Sequence, residues 1–418
     1  MNHGGFQAVD PLLQGLLANR ALPPSLLRVV ITRGGRGVWT TALRRNTLDS
    51  LSQRLLRDRL GAETVDPVSA ASGMLPGWRV AVLARSPRPE VRAAVARRPE
   101  IDSDVLRMLC EDTDDEVRRA GAGNTALSFG MLDRALVAGD TAVLLGMSVN
   151  GALPETVAER LAESTSAEIR ARLARNAALP AVLARRLAGD TSREVRLALL
   201  ANASAPSDVI DRVYEEGLPA ADIAATAVHP QVLDHLADAR WSDAAVLLPM
   251  ARNPACDTGT LDRMAFHNDL EVRRAALSTL RVGAATLQAY AASSDPWVRS
   301  QVARSPRCPP HLLERFRDDS AGHVRAAMAR NHHCPPSLLA ALCRDDNRNV
   351  RYRCARNPGT AVQYVVALVH DSDPLVAAAA ATNPALPVRE MHLIVGAWKS
   401  RAESASRSID SASPNTKT

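Results

Sequence analysis

The chain has 418 residues, 46% of them hydrophobic but only 3% aromatic, and a formal charge of +6. Its length exceeds one ordinary globular core and predicts several domains or one extended array with a core of Ala, Leu and Val. No apolar run nears the roughly 18 residues of a membrane span, and six cysteines without a CxxC pair argue against a disulfide framework. With an N-terminus unlike a signal peptide, the composition predicts a soluble cytoplasmic protein.

In chain order, the first ten residues read as frayed. Two degenerate helical copies of a repeat follow at about Leu12 and Val38, making a segment 1–60 with a turn at Gly34 to Gly37. Residues 61–78 break the pattern and read as an irregular linker. From 79 to 398 the chain is a tandem array. Val91 to Pro99 (VRAAVARRP), Val298 to Pro306 (VRSQVARSP) and Val350 to Pro358 (VRYRCARNP) show the motif most plainly. With that Val as position 1, repeats begin at 91, 117, 143, 169, 195, 222, 246, 272, 298, 324, 350 and 376, a spacing of 26 residues except around 222. The Ser-rich segment 399–418 is too polar to pack and reads as a disordered tail.

Each column has a physical role. Position 24 supplies helix N-caps, among them Asp114, Asp140, Ser166, Ser192, Asp269, Asp295, Asn347 and Asp373. Position 1 and the small position 6 (Ala96, Ala122, Ala174, Ala303, Ala329) form the buried side of a first short helix. Asn at position 8 (Asn124, Asn150, Asn176, Asn202, Asn253, Asn331, Asn357, Asn383) ends that helix, a place where the left-handed conformation suits Asn. A second helix opens near a proline at position 12 and carries apolar residues at helical spacing, such as Leu338, Leu339 and Leu342. Helices this short need neighbours for stability, so the predicted fold is an all-α solenoid of two-helix repeats.

The recurring order of Val-Arg, Ala, Asn-Pro, Pro and Leu-Leu resembles the leucine-rich repeat variant family, whose units read like VRxAxARNPxxPxxLLxxLxxD. The resemblance covers about 91 to 395, and 12 to 60 more weakly. It implies α-helices alternating with 3₁₀-helices in a right-handed superhelix. One member has a cysteine-rich, iron–sulfur-binding N-terminal segment. Here the first cysteine is Cys110, inside a repeat, so that cofactor does not carry over.

Two arginine columns are the candidate binding residues. Position 2 includes Arg299, Arg325 and Arg351, and position 7 includes Arg304, Arg330 and Arg356. The structural reading of position 2 is an i, i+4 ion pair, as Arg118 with Asp114, Arg273 with Asp269 and Arg299 with Asp295. The alternative is a basic stripe for a polyanion. Residues 299–356 carry +7 and residues 1–60 carry +6, so the remainder is net acidic. Scarce aromatics disfavour base stacking with single strands.

Cys256, Cys308 and Cys334 share position 11, an apolar column elsewhere, so small buried hydrophobes are expected there rather than zinc ligands. No HExxH, GxxxxGK[ST] or GxSxG occurs, and no cofactor is expected. The sequence therefore predicts a non-enzymatic scaffold for a protein partner, with a nucleic-acid-binding solenoid as the alternative. It leaves the oligomeric state open.

Overall fold

The computed structural model describes residues 10–43, 48–60, 77–215 and 217–411. All regular structure among them is α-helical, and none of these helices is long and apolar enough to cross a membrane. Each repeat contributes two helices, as in Asp115–Ala122 with Phe129–Ala138, or Gly322–Arg330 with Pro336–Leu342. The resemblance implies a 3₁₀ second helix, but here it closes α-type bonds, as from Ala184 N–H to the Pro180 carbonyl. Shorter i to i−3 bonds remain at helix ends, where they satisfy otherwise unpaired backbone groups.

The columns explain why these segments are helical and where they pack. Asp114, Asp269 and Asp295 accept N–H groups of the first helical turn through their side chains, whereas Ser166 and Ser192 make no such cap bond. Several second helices instead start from an N-cap proline, as at Pro180 and Pro335, whose fixed φ near −60° suits a helix start. Val117, Val272, Val324 and Val350 are fully buried, as are Ala122, Ala174, Ala303 and Ala329. Burial of each leucine along the second helices is worth about 2 kcal/mol, which holds together helices of six to ten residues that are marginal alone.

Asn at position 8 plays a different part from the one its local propensity suggests. Asn176, Asn331 and Asn357 have extended backbone, with ψ at 123° in each, not left-handed. Their side chains tie one repeat to the last. Asn124 donates to the Ala96 and Arg98 carbonyls, both at 2.7 Å, and Asn357 to those of Ala329 and Asn331 at 2.8 and 2.9 Å. Each amide oxygen then accepts a nearby N–H, as from Ala126 to Asn124. Buried polar groups must be paired, so this spine satisfies carbonyls at every junction it spans. Where the spacing lengthens to 27, His229 takes the asparagine's place and its Nε2 lies 3.1 Å from the Asn202 carbonyl oxygen.

The chain divides into two compact bodies, one of residues 65–279 and one of residues 1–64 with 280–418. The boundary falls inside the array expected from 79 to 398, at Leu280, whose φ of 62° is the one positive value at a non-glycine among the described residues. The N-terminal segment 1–60, whose packing on the array the sequence leaves open, clusters with residues 280–418. The expected linker 61–78 falls mostly outside the described residues, although helix Gly77–Leu83 begins within it. The final helix, Val388–Ser411, continues well into the stretch that composition assigns to a disordered tail, and residues 412–418 lie outside the described ones.

Candidate partner-binding groove

The position 2 arginines hold the repeats together. Arg299, Arg325 and Arg351 each form a bidentate pair with an aspartate twenty residues on: Asp319, Asp345 and Asp371, with Nε to carboxylate distances of 2.7 Å. Arg92 with Asp112 and Arg170 with Asp190 repeat the arrangement. The same guanidinium also donates to a carbonyl six residues back, as Arg325 to Asp319 and Arg351 to Asp345. An aspartate thus serves its own repeat through its carboxylate and the next through its carbonyl.

The i, i+4 pairing expected from sequence is replaced by this network because a two-fork bond to a shielded carboxylate is stronger than a solvated helix-surface pair. Arg118 bonds Asp115 and Asp140, and Arg273 bonds the His267 and Asn268 carbonyls. The Arg299 fork holds the Asp319 carboxyl below its ordinary range, and Arg351 does the same to Asp371. With their side chains only 16–19% exposed and already bonded, Arg299, Arg325 and Arg351 are structural.

Position 7 behaves differently. Arg304 and Arg330 line a groove of about 800 Å³ along helices Pro296–Arg304, Gly322–Arg330, Arg348–Arg356 and Pro374–Ala381. Arg304 donates to the Gln301 side chain at 2.8 Å, and neither it nor Arg330 pairs with a carboxylate among the described residues. Burial lowers the Arg304 pKa and the nearby Arg330 charge lowers it further, as expected for uncompensated cations. Arg356 stands beside the groove, donating to the Tyr352 hydroxyl at 3.1 Å. Tyr352 lines the groove, with the Arg353 and Arg356 guanidiniums 5.5 and 5.9 Å from its ring centroid.

Sequence reasoning missed Gln301, His323, Arg348, Tyr352 and Arg353 as lining residues. Helical spacing was the available signal, because Tyr352 and Arg356 stand four apart on one helix face. The floor is mixed: Ala326, Ala327, Leu375 and Val376 are aliphatic, and Ser300, Asn347 and Asn349 offer neutral hydrogen-bonding groups. Asp373 is the one carboxylate in the lining, 3.4 Å from Arg348.

The cysteines have no such opening. Cys256, Cys308 and Cys334 are buried, and burial pushes the last two thiols up to about 12. No group of three or more metal-ligating side chains occurs among the described residues.

Comparison with known proteins matches residues 89–114, one repeat length, to the leucine rich repeat variant model. No curated protein matches the chain. Among solved structures, the karyopherin Kap121p bound to Pho4p matches at 12% identity and a TM-score of 0.22, over 88% of this chain and 45% of that one. Kap121p bound to the SUMO protease Ulp1p matches at 9% identity and 0.22, over 92% and 51%. The chain spans about half the length of these structures, and likeness at this level carries no argument about arrangement or partner. The columns that recur along the array make this chain a helical-repeat protein, and its repeat at 89–114 is similar to the leucine rich repeat variant model.

Proposed function

We propose that the chain is a non-enzymatic scaffold that binds a protein partner, holding an acidic segment of it in the groove of repeats 298 to 376. The observation that carries this reading is the contrast between the arginine columns: Arg299, Arg325 and Arg351 of position 2 are consumed by aspartates, while Arg304 and Arg330 of position 7 face the groove without carboxylate partners. Cations already partly desolvated lose less hydration when a carboxylate arrives, and bidentate geometry suits them to it. The neutral side chains match peptide N–H and C=O groups, and the aliphatic floor matches side chains between acidic residues. Buried thiols fit a reducing compartment such as the cytoplasm.

A phosphate backbone is the second reading, favoured by the charge of +7 over residues 299–356. One aromatic in the groove offers little base stacking. Fluorescence anisotropy with a labelled Glu/Asp-rich peptide and a labelled duplex, at low and moderate salt, separates them. Peptide binding that weakens at least tenfold in an Arg304→Ala, Arg330→Ala, Arg353→Ala triple variant with unchanged circular dichroism is the expected result. Tight duplex binding with a steep salt dependence, and none to peptide, would overturn it.

A further inference from the structure

The chain's first helix, Pro11–Ala18, stands where the first helix of a repeat after 376 belongs. Asn19 occupies position 8 of that copy, and its amide donates to the Ala381 and Asn383 carbonyls at 2.9 and 2.7 Å. These are the columns that Asn383 itself uses one repeat back, on Ala355 and Asn357 at 2.8 and 3.0 Å. A Cβ built on Gly15 would fall 2.1 Å from the Ala378 carbonyl oxygen. Gly146, at the same position of an internal repeat, would fall 2.2 Å from that of Arg119. Arg401 closes the edge with a 2.8 Å bond to Asp10.

The asparagine bonds of this junction join residues 362 and 364 positions apart, so the interface owes nothing to sequence proximity. The incoming segment also has an interior of its own, with Leu26, Leu27, Val30, Ile31 and Leu56 buried. An array end left bare exposes carbonyls and an apolar helix face, which terminal units must cover. Here the cover is an ordinary repeat docked through ordinary contacts, and any copy of this chain carries the same one.

We propose that the end face formed by helix Pro374–Ala381 and the Ala381 and Asn383 carbonyls is a docking site for residues 10–60 of a second copy of this chain. The chain's own segment fills it in the monomer. Contacts in cis and in trans are the same, as in domain exchange. The balance is therefore set by the effective concentration of the chain's own segment at this face against the concentration of second copies. Self-occupancy prevails in dilute protein, and exchange appears on concentration or on refolding together.

The test uses full-length Asp10→Cys and Arg401→Cys variants with a short bis-maleimide. The double variant should cross-link within one chain. The two single variants, concentrated or refolded together, should yield a dimer joining position 10 of one copy to position 401 of the other. Adding Gly15→Val, or separately Asn19→Leu, to the Asp10→Cys copy should lower that fraction at least tenfold. A cross-linked double variant with no linkage between the singles shows an end face closed to second copies and sinks the proposal. Failure of the double variant to cross-link removes the docking itself. A dimer indifferent to both added substitutions reflects collision rather than docking and overturns it equally.

Discussion

In the body holding repeats 298 to 376, three successive repeats chain Arg299, Arg325 and Arg351 to Asp319, Asp345 and Asp371 without a gap. In the body of residues 65–279 the same network is interrupted. Leu144 stands where an arginine belongs, Ala138 and Ser164 stand where aspartates belong, and His267 takes an aspartate's place to accept the Asp269 N–H. Helix Phe129–Ala138, which ends at Ala138, buries only Leu132, and a cavity of about 610 Å³ opens beside it. Arg118, without its fork partner, turns to Asp115 and Asp140. The missing carboxylate thus coincides with a poorly buried second helix, whereas the unbroken network accompanies repeats whose Arg304 and Arg330 line one groove.

Substitutions that cut or repair the networks sharpen this contrast. The largest effect is expected for Asn357→Leu, which orphans two buried carbonyls and should cost about 3–5 kcal/mol. Asn150→Leu, where one bond is already 3.4 Å, should cost at least about 1 kcal/mol less. Denaturant midpoints with hydrogen exchange of the adjoining helices measure both, and equal costs would mean that the spine is equally tight in the two bodies.

Next, Asp345→Ala should cost about 2–4 kcal/mol by leaving the Arg325 fork unpaired. A smaller change than that of an exposed pair, such as Arg185 with Asp208, would reduce the network to decoration.

Acid gives a third, graded test. The Arg351 fork lowers the folded-state pKa of Asp371, so its contribution is fully present above the unfolded value of about 3.9 and lost as pH falls through the folded value. Arg351→Met should flatten the fall in stability between about pH 4 and pH 2, and an unchanged slope would place that linkage elsewhere. The smallest effect belongs to repair: Ala138→Asp should raise stability by about 0.5–1 kcal/mol, because Arg118 already has partners. A loss on calorimetry would show that the cavity has another origin.

Much of this was legible in the sequence and some was not, for physical reasons. Val117, Ala122, Asp114 and Pro180 announce their roles through local rules of burial, capping and turn chemistry, so the repeats and their helices could be read directly. Arg325 finds Asp345 twenty residues away, a distance that no helical period suggests, so the nearer i, i+4 partners looked sufficient. Local propensity assigns Asn357 to its own helix end, whereas its bonds to Ala329 and Asn331 run between repeats. Of the groove, Arg304 and Arg330 were readable as a column, but Tyr352, Arg353 and His323 belong to no column. The docking of Asn19 on Asn383 joins the two ends of the sequence, where pattern alone offers no neighbour.

The exchange of asparagine for His229 shows how the spine crosses a repeat of unusual length. Where the spacing is 27, the imidazole Nε2 lies against the Asn202 carbonyl and the Val228 N–H takes the Leu200 carbonyl. Beyond it Asn253 resumes the amide pattern, bonding Ala224 and Ala227. The spine is thus a run of carbonyls that either an amide or an imidazole can satisfy, and it passes a change of spacing without losing its bonds at Asn202 or Ala227.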